Sequence, residues 1–321
     1  METTPRKNIR RLAGRVKRAI KGQNQTTLKD LKGVLGQNLK YRSVESSARQ
    51  ITRLPETKIA VVLHLYYPET WPQFVKHLNN LKQPYDLFIS LTGPNINFEP
   101  TIKSNYPNAY VFEIPNRGRD VLPFIKLATI LSAKNYQYVL KLHSKKSTHR
   151  KDGSEWLTDI VSSLLPEDPL VFKKLFNVLD KTNCGIVGPE NQYLSLVVNF
   201  EANGTWMTRI LNRIYNPKIS HKYLQVDRTN YGFFAGTMFW ARLDAFKPIL
   251  STNLPIREFA AERGQIDATL AHALERLFSL VCEIEGKEMY EISAKSVTEI
   301  KYKTDNIPDW SDVYIGPKPI K

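Results

Sequence analysis

The chain is poor in cysteine: Cys184 and Cys282 are the only two in 321 residues, they lie far apart in apolar surroundings, and neither belongs to a C-x-x-C pair or a Cys/His zinc spacing. A disulfide scaffold and a zinc module are therefore both excluded, and the expected compartment is a reducing one. No stretch approaches the roughly eighteen consecutive apolar residues of a membrane span, and the first thirty residues lack the apolar core of a signal peptide. The expectation is a soluble protein that stays in the cytoplasm. Internal repeats and low-complexity tracts are absent as well, which removes solenoids and collagen-like chains.

What is abundant is positive charge, and it is uneven. The net charge is +15, and residues 1–50 hold thirteen Lys/Arg against three Asp/Glu, a local excess of +10. Within this arm Ile9, Leu12, Val16 and Ile20 recur at spacings of three and four, so a helix from about residue 6 to 21 gathers them on one face with cations around the other. Such a helix suits an anionic membrane surface first, and docking onto the body or a partner second. Nucleic acid ranks third, because no aromatic residue precedes Tyr41 to stack on bases.

From Lys58 onward apolar strands alternate with amphipathic helices. Strands are expected over Ile59 to Leu65, Asp86 to Leu91 and residues 109–114, and helices over Thr70 to Leu81 and from Val121 to Ala133. A fourth strand, starting at Tyr138, runs into Leu142-His143-Ser144-Lys145-Lys146. Helices follow at Trp156 to Leu164 and Pro169 to Leu179, then a short strand around residues 185–188. Residues 190–230 read as a long polar and aromatic loop region, suited to a lid or acceptor groove. Residues 231–242 read as one strand containing two glycines, leading into a helix at Leu243 to Ile249, and a last helix opens at about Ile266 with Asp267 in its first turn. The alternation implies an open, mostly parallel α/β sheet of Rossmann type with right-handed crossovers, flanked by helices. The expected divisions are a basic helical arm over residues 1–56, one catalytic domain over 57–300 and a tail over 301–321.

In such a sheet ligands gather at the carboxyl ends of the strands. The end of the fourth strand carries His143, Ser144, Lys145 and Lys146, with Lys141 on the strand itself, and this set of charges and donors suits a diphosphate. The plainer reading is a solvated basic loop. His64 and Tyr66 at the end of the first strand, and Thr92 with Gly93 at the end of the second, would line a nucleoside pocket, although His64 could equally be a bonded core histidine and Tyr66 a packing residue. Gly236 marks either a ligand's close approach or a backbone need.

Five segments together carry a resemblance: His64-Leu65-Tyr66-Tyr67-Pro68, Asn116-Arg117-Gly118-Arg119-Asp120, Lys141-Leu142-His143-Ser144-Lys145-Lys146, Gly232-Phe233-Phe234-Ala235-Gly236-Thr237-Met238 and Gln265-Ile266-Asp267. From about residue 57 to 285 the chain resembles the rhamnan synthesis F family of bacterial polysaccharide enzymes, and its segment order looks like a divergent GT-A sugar-nucleotide transferase. The resemblance implies transfer of a sugar, L-rhamnose from a dTDP-activated donor, onto a glycan or lipid-linked glycan of a cell-surface polysaccharide, with inversion. It further implies that Asn116 belongs to the donor pocket and that Asp267 is the catalytic base, against the alternative that this acid merely favours a helix start. Arg117 and Arg119 would add contacts to the diphosphate. Asp120 would bind a ribose or sugar hydroxyl, or else cap the helix after it.

One place departs from the GT-A pattern: where Asp-x-Asp would hold a divalent metal, this chain has Leu142-His143-Ser144-Lys145. Fixed ammonium groups can do part of a metal's work on a leaving diphosphate, so transfer without a metal cofactor is expected, a cation completed by His143 and Asp120 being the alternative. The same departure leaves open a non-catalytic glycan-binding or scaffold protein of a polysaccharide assembly complex. The expected place is the inner face of the cytoplasmic membrane, reached peripherally through the arm.

Overall fold

A computed structural model describes residues 57–144, 153–197, 200–225, 231–265 and 267–300. The basic arm, Lys145, Lys146 and the C-terminal tail lie outside the described residues. The strands are β1 Ile59–His64, β2 Tyr85–Leu91, β3 Tyr110–Glu113, β4 Tyr138–His143, β5 Cys184–Pro189, β6 Tyr193–Ser195, β7 Gly232–Phe234, β8 Phe239–Arg242, β9 Glu288–Ile292 and β10 Val297–Glu299. Eight of them form one sheet in the order β10-β9-β5-β8-β4-β1-β2-β3, while β6 and β7 pair separately. The pairs β1·β2, β1·β4, β2·β3 and β5·β9 are parallel, and β8 runs antiparallel between β4 and β5. The expected mostly parallel α/β sheet is therefore present.

Every residue of β1 and β4 is buried, because both faces of the sheet are covered. Alternation divides them between two cores. Val61, Leu63, Leu140 and Leu142 face the helices Trp71–Leu78, Gly153–Leu164 and Pro169–Leu179; Ala60, Val62 and Val139 face the helices Val121–Ser132 and Leu270–Ile284. By the same parity Lys141 and His143 point to the second face, toward the start of one helix and the length of the other.

Three expectations are corrected. The described residues between 190 and 225 are largely helical, with helices at Phe200–Ile214 and Pro217–Gln225. Gly204 and the Asn216-Pro217 break interrupt a pattern whose apolar positions, Met207, Ile210 and Leu211, are few but all on the buried side. Residues 231–242 are two strands in two sheets, because Gly236 at φ 83° and Thr237 at φ 51° turn the chain between β7 and β8. The last helix starts at Leu270, where Thr269 and His272 form a capping box, so Asp267 precedes the first turn. Ala268 at φ 65° separates it from the helix.

Candidate functional site

Chain order makes the site. β2 and β3 build outward from one side of β1 and β4 returns to its other side, so the strand order reverses between β1 and β4. The crevice outside their carboxyl ends is where an open α/β sheet binds ligands. His64 and His143 are register partners at that crevice, and His64 is also opposite Ser90.

The centre is a buried charge pair. Lys141, 1 % exposed, donates from Nζ to Asp120 Oδ2, to the Thr237 carbonyl at 2.6 Å and to Thr237 Oγ1 at 3.0 Å. Thr237 Oγ1 donates in turn to Asp120 Oδ2 at 2.5 Å. Burial works against the ionised Asp120, but the Lys141 ammonium, His143 and these hydrogen bonds outweigh it and hold the carboxyl well below its ordinary range. Asp120 stands at the N-cap of the Val121–Ser132 helix without bonding its free N–H groups, so its carboxylate serves Lys141 rather than the helix. His64, whose Nδ1 pairs with Ser90 Oγ at 2.8 Å, is pushed down to about 4 by burial and by the charges of His143 and Lys141, against the pull of Asp120. It is a neutral imidazole at pH 7.

Around this pair lies a cavity of about 30 Å³, lined by Arg119, Asp120, Val121, His143, Gly236, Thr237, Ala271, His272 and Glu275. His143 Nε2 donates to the Gly236 carbonyl, and the Gly236 N–H donates to Glu275 Oε1 at 2.7 Å. A Cβ at Gly236 would stand 2.9 Å from the Trp156 ring, so this turn needs glycine both for its φ and for its space. Three of the five segments reach this cavity, through Arg119 and Asp120, His143, and Gly236 with Thr237; residues 64–68 and 265–267 do not line it, and the last helix joins it through Ala271, His272 and Glu275.

The other expected residues occupy specific posts. Ser144 Oγ, fully buried, accepts the backbone N–H groups of Tyr66 at 2.7 Å and Tyr67 at 2.8 Å, so it ties the loop after β1 to the end of β4. This is a positioning role. Arg117 donates through Nε and Nη2 to the Phe259 carbonyl, at 3.0 and 2.6 Å, docking the Asn116–Asp120 stretch on residues 256–265. Asn116 joins that docking through its carbonyl, which accepts Glu262 N–H at 3.3 Å. Arg119 reaches the cavity wall while bonded to the Gln265 carbonyl and 3.4 Å from Glu262 Oε2. Tyr66 is one of the large exposed side chains, at 39 %, packed edge-on against Tyr67; Thr92 is buried and Gly93, at φ 53°, has open space around it.

Asp267 lies beside the cavity wall rather than on it. Its Oδ1 accepts Asn203 Nδ2 at 2.8 Å and Ala268 N–H at 2.8 Å, Arg276 Nη2 stands 3.6 Å from Oδ2, and His272 Nδ1 stands 3.8 Å from Oδ1. Arg276 is held by the His272 carbonyl and the Phe233 ring. His272 and Glu275 were not expected from sequence. The available signal is that His272, Glu275 and Arg276 interrupt an otherwise apolar helix at spacings of three and four, which puts them on one side of it. Among the described residues no group of three or more His, Cys, Asp or Glu side chains is arranged to hold a metal ion, and no helix is long and apolar enough to cross a membrane.

These features define an α/β protein with a polar, partly charged crevice at a topological switch point. The family described as Rhamnan synthesis protein F has a model that matches residues 21–286, and the chain belongs to that family. It is also 33 % identical, over 257 residues, to the uncharacterized protein WxcX of Xanthomonas campestris pv. campestris, in each of two strains. The match covers 77 % of this chain and 36 % of WxcX, so the chain spans about a third of the length of these relatives.

Proposed function

We propose that this chain is a glycosyltransferase of the GT-A type in the synthesis of a bacterial cell-surface polysaccharide or lipopolysaccharide, transferring L-rhamnose from dTDP-rhamnose with inversion. The observation that carries the reading is the convergence, at the switch point, of three of the segments that resemble a sugar-nucleotide site around one buried cation. Lys141 lies on the strand that would end in Asp-x-Asp, and its fixed charge sits behind the cavity where a metal enzyme would place an ion. Asp120, already paired with this ammonium, is a poor ligand for a further cation, which supports transfer without a metal.

In this reading the nucleoside lies against Tyr66, Thr92 and Gly93. Arg119, with Lys145 and Lys146 beyond the end of β4, faces the diphosphate and stabilises the charge that develops as the glycosidic bond breaks. Asp267 takes the proton of the acceptor hydroxyl as that oxygen attacks the anomeric carbon from the opposite side. Asn203 and Arg276 aim the carboxylate. The arm, at +10 over residues 1–50, would bring the enzyme to the anionic inner face of the membrane where a lipid-linked glycan is extended.

The engagement of both Asp267 oxygens favours a second reading, a glycan-binding scaffold in which this acid is structural. Thermal stabilisation by a panel of nucleotide sugars and nucleoside diphosphates, each with and without EDTA, separates the two. A shift with dTDP-rhamnose that survives EDTA is the expected result. No shift with any nucleotide, in the presence of acceptor glycan, overturns the transferase reading in favour of the scaffold.

A further inference from the structure

The cavity at the crevice is small, about 30 Å³, which accommodates a single water-sized group and not a whole sugar ring. Its wall is also divided in sign. Arg119 and His143 contribute to it, with Lys141 behind, while Asp120 and Glu275 supply carboxylates, of which Asp120 is already paired with Lys141. The Glu275 carboxylate is placed by two rigid elements. It projects from the Leu270–Ile284 helix one turn after His272, and its Oε1 accepts the N–H of Gly236, whose turn is fixed by its φ of 83° and by the Trp156 ring. The carbonyl of the same glycine receives His143, so Glu275 and His143 hold one residue from its two sides.

A carboxylate facing a cavity repels a diphosphate and attracts either a cation or a hydrogen-bond donor. Asp120 is already satisfied by the Lys141 ammonium, and the Arg119 guanidinium stands on the same wall, so little negative charge is left over for a further cation. A neutral hydroxyl remains, and its size fits the cavity.

We propose that Glu275 reads the sugar of the donor: it accepts a hydrogen bond from one sugar hydroxyl seated in this cavity and thereby separates the nucleotide sugar from the bare nucleoside diphosphate. The inference rests on the transferase reading and deepens it by assigning the residue that recognises the sugar part. A charge-assisted hydrogen bond is worth about a tenfold change in affinity or more.

The test compares the full chain and its Glu275→Gln variant in titrations with dTDP-L-rhamnose and with dTDP, each in EDTA and in Mn²⁺. The glutamine retains an oxygen for the Gly236 N–H, so the turn keeps its partner, and an unchanged melting temperature checks this. The expected result is a preference of the wild type for the nucleotide sugar that falls about tenfold or more in the variant, with dTDP affinity unchanged in either medium. Equal loss for both ligands makes Glu275 a support of the glycine turn and overturns the assignment, as does a retained preference. A loss confined to Mn²⁺ makes it a cation ligand and overturns it too. If the wild type itself binds neither ligand, the donor reading fails, and this inference with it; that outcome is distinct from a defect that appears only in the variant.

Discussion

The two ends of the main sheet offer opposite kinds of opening. At the amino ends of β1 and β4 lies a groove of about 520 Å³, lined by Lys58, Gln83, Tyr138, Lys173, Phe176 and Asp180 among others; at their carboxyl ends the cavity is about 30 Å³. The larger opening holds ordinary surface chemistry: Tyr138 donates its hydroxyl to Asp180, and lysines stand in solvent. The smaller one is lined by Asp120, His143 and Thr237 among others, with Lys141 behind them and His64 and Ser144 at the same strand ends, all buried. Burying that many polar groups is costly unless each is bonded, and such clusters gather at functional sites. Room alone is the poorer guide to function.

The largest effect that can break this contrast is on turnover. Asp267→Asn retains an Oδ1 for the side-chain N–H of Asn203, so the fold should persist while the acceptor proton loses its base. Turnover should fall about a hundredfold or more with donor affinity intact, read by steady-state transfer and by nucleotide-sugar titration. A variant that keeps more than about a tenth of the wild-type rate returns Asp267 to the structural role its hydrogen bonds allow.

Next in size is stability. Lys141→Met leaves the Asp120 carboxylate buried without its cation, which should destabilise the protein by about 3–5 kcal/mol in urea or thermal unfolding. Tyr138→Phe, three residues earlier on the same strand, removes the hydroxyl from Asp180 at the groove end and should cost only about 1 kcal/mol. The double variant Lys141→Met with Asp120→Leu should recover much of the loss, because no unpaired charge remains. Equal costs for the two single changes would remove the distinction between the ends.

How much of this was legible in the sequence depends on which contacts are local. The runs Ile59–His64 and Tyr138–His143 are buried on both faces and announce themselves as central strands, and the strand ends that follow them therefore point to the crevice. The division of residues 231–242 between two sheets was not legible, since Gly236 turns there to admit Trp156, a residue eighty positions earlier. Lys141 reads as a phosphate ligand in sequence because its partners, Asp120 and Thr237, are 21 and 96 residues away. Asp267 was recognisable by its motif, but its place ahead of the helix follows from Ala268 and the Thr269 cap. His272 and Glu275 were hidden in a helix whose apolar positions dominate the pattern, although their spacing marks a polar side.

The smallest effect sharpens the comparison by pH. The folded His64, at about 4, lies below its unfolded value of 6.5, so the unfolded chain binds a proton over that window and the folded chain does not. Stability contributed by the neutral ring is present above pH 6.5 and is lost as pH falls toward 4. The difference amounts to about 2 kcal/mol at pH 5. Replacing His64 by Asn, which keeps a polar partner for Ser90 but does not titrate, should lower stability at pH 7.5 and flatten the decline between pH 7.5 and 5. His77 is also lowered by burial and shifts stability in the same direction, so the comparison rests on the difference between the two proteins, which belongs to His64. An unaltered slope would mean that water reaches the end of β1 and solvates the imidazolium, and the carboxyl end of the sheet would then be as open as the groove at its other end.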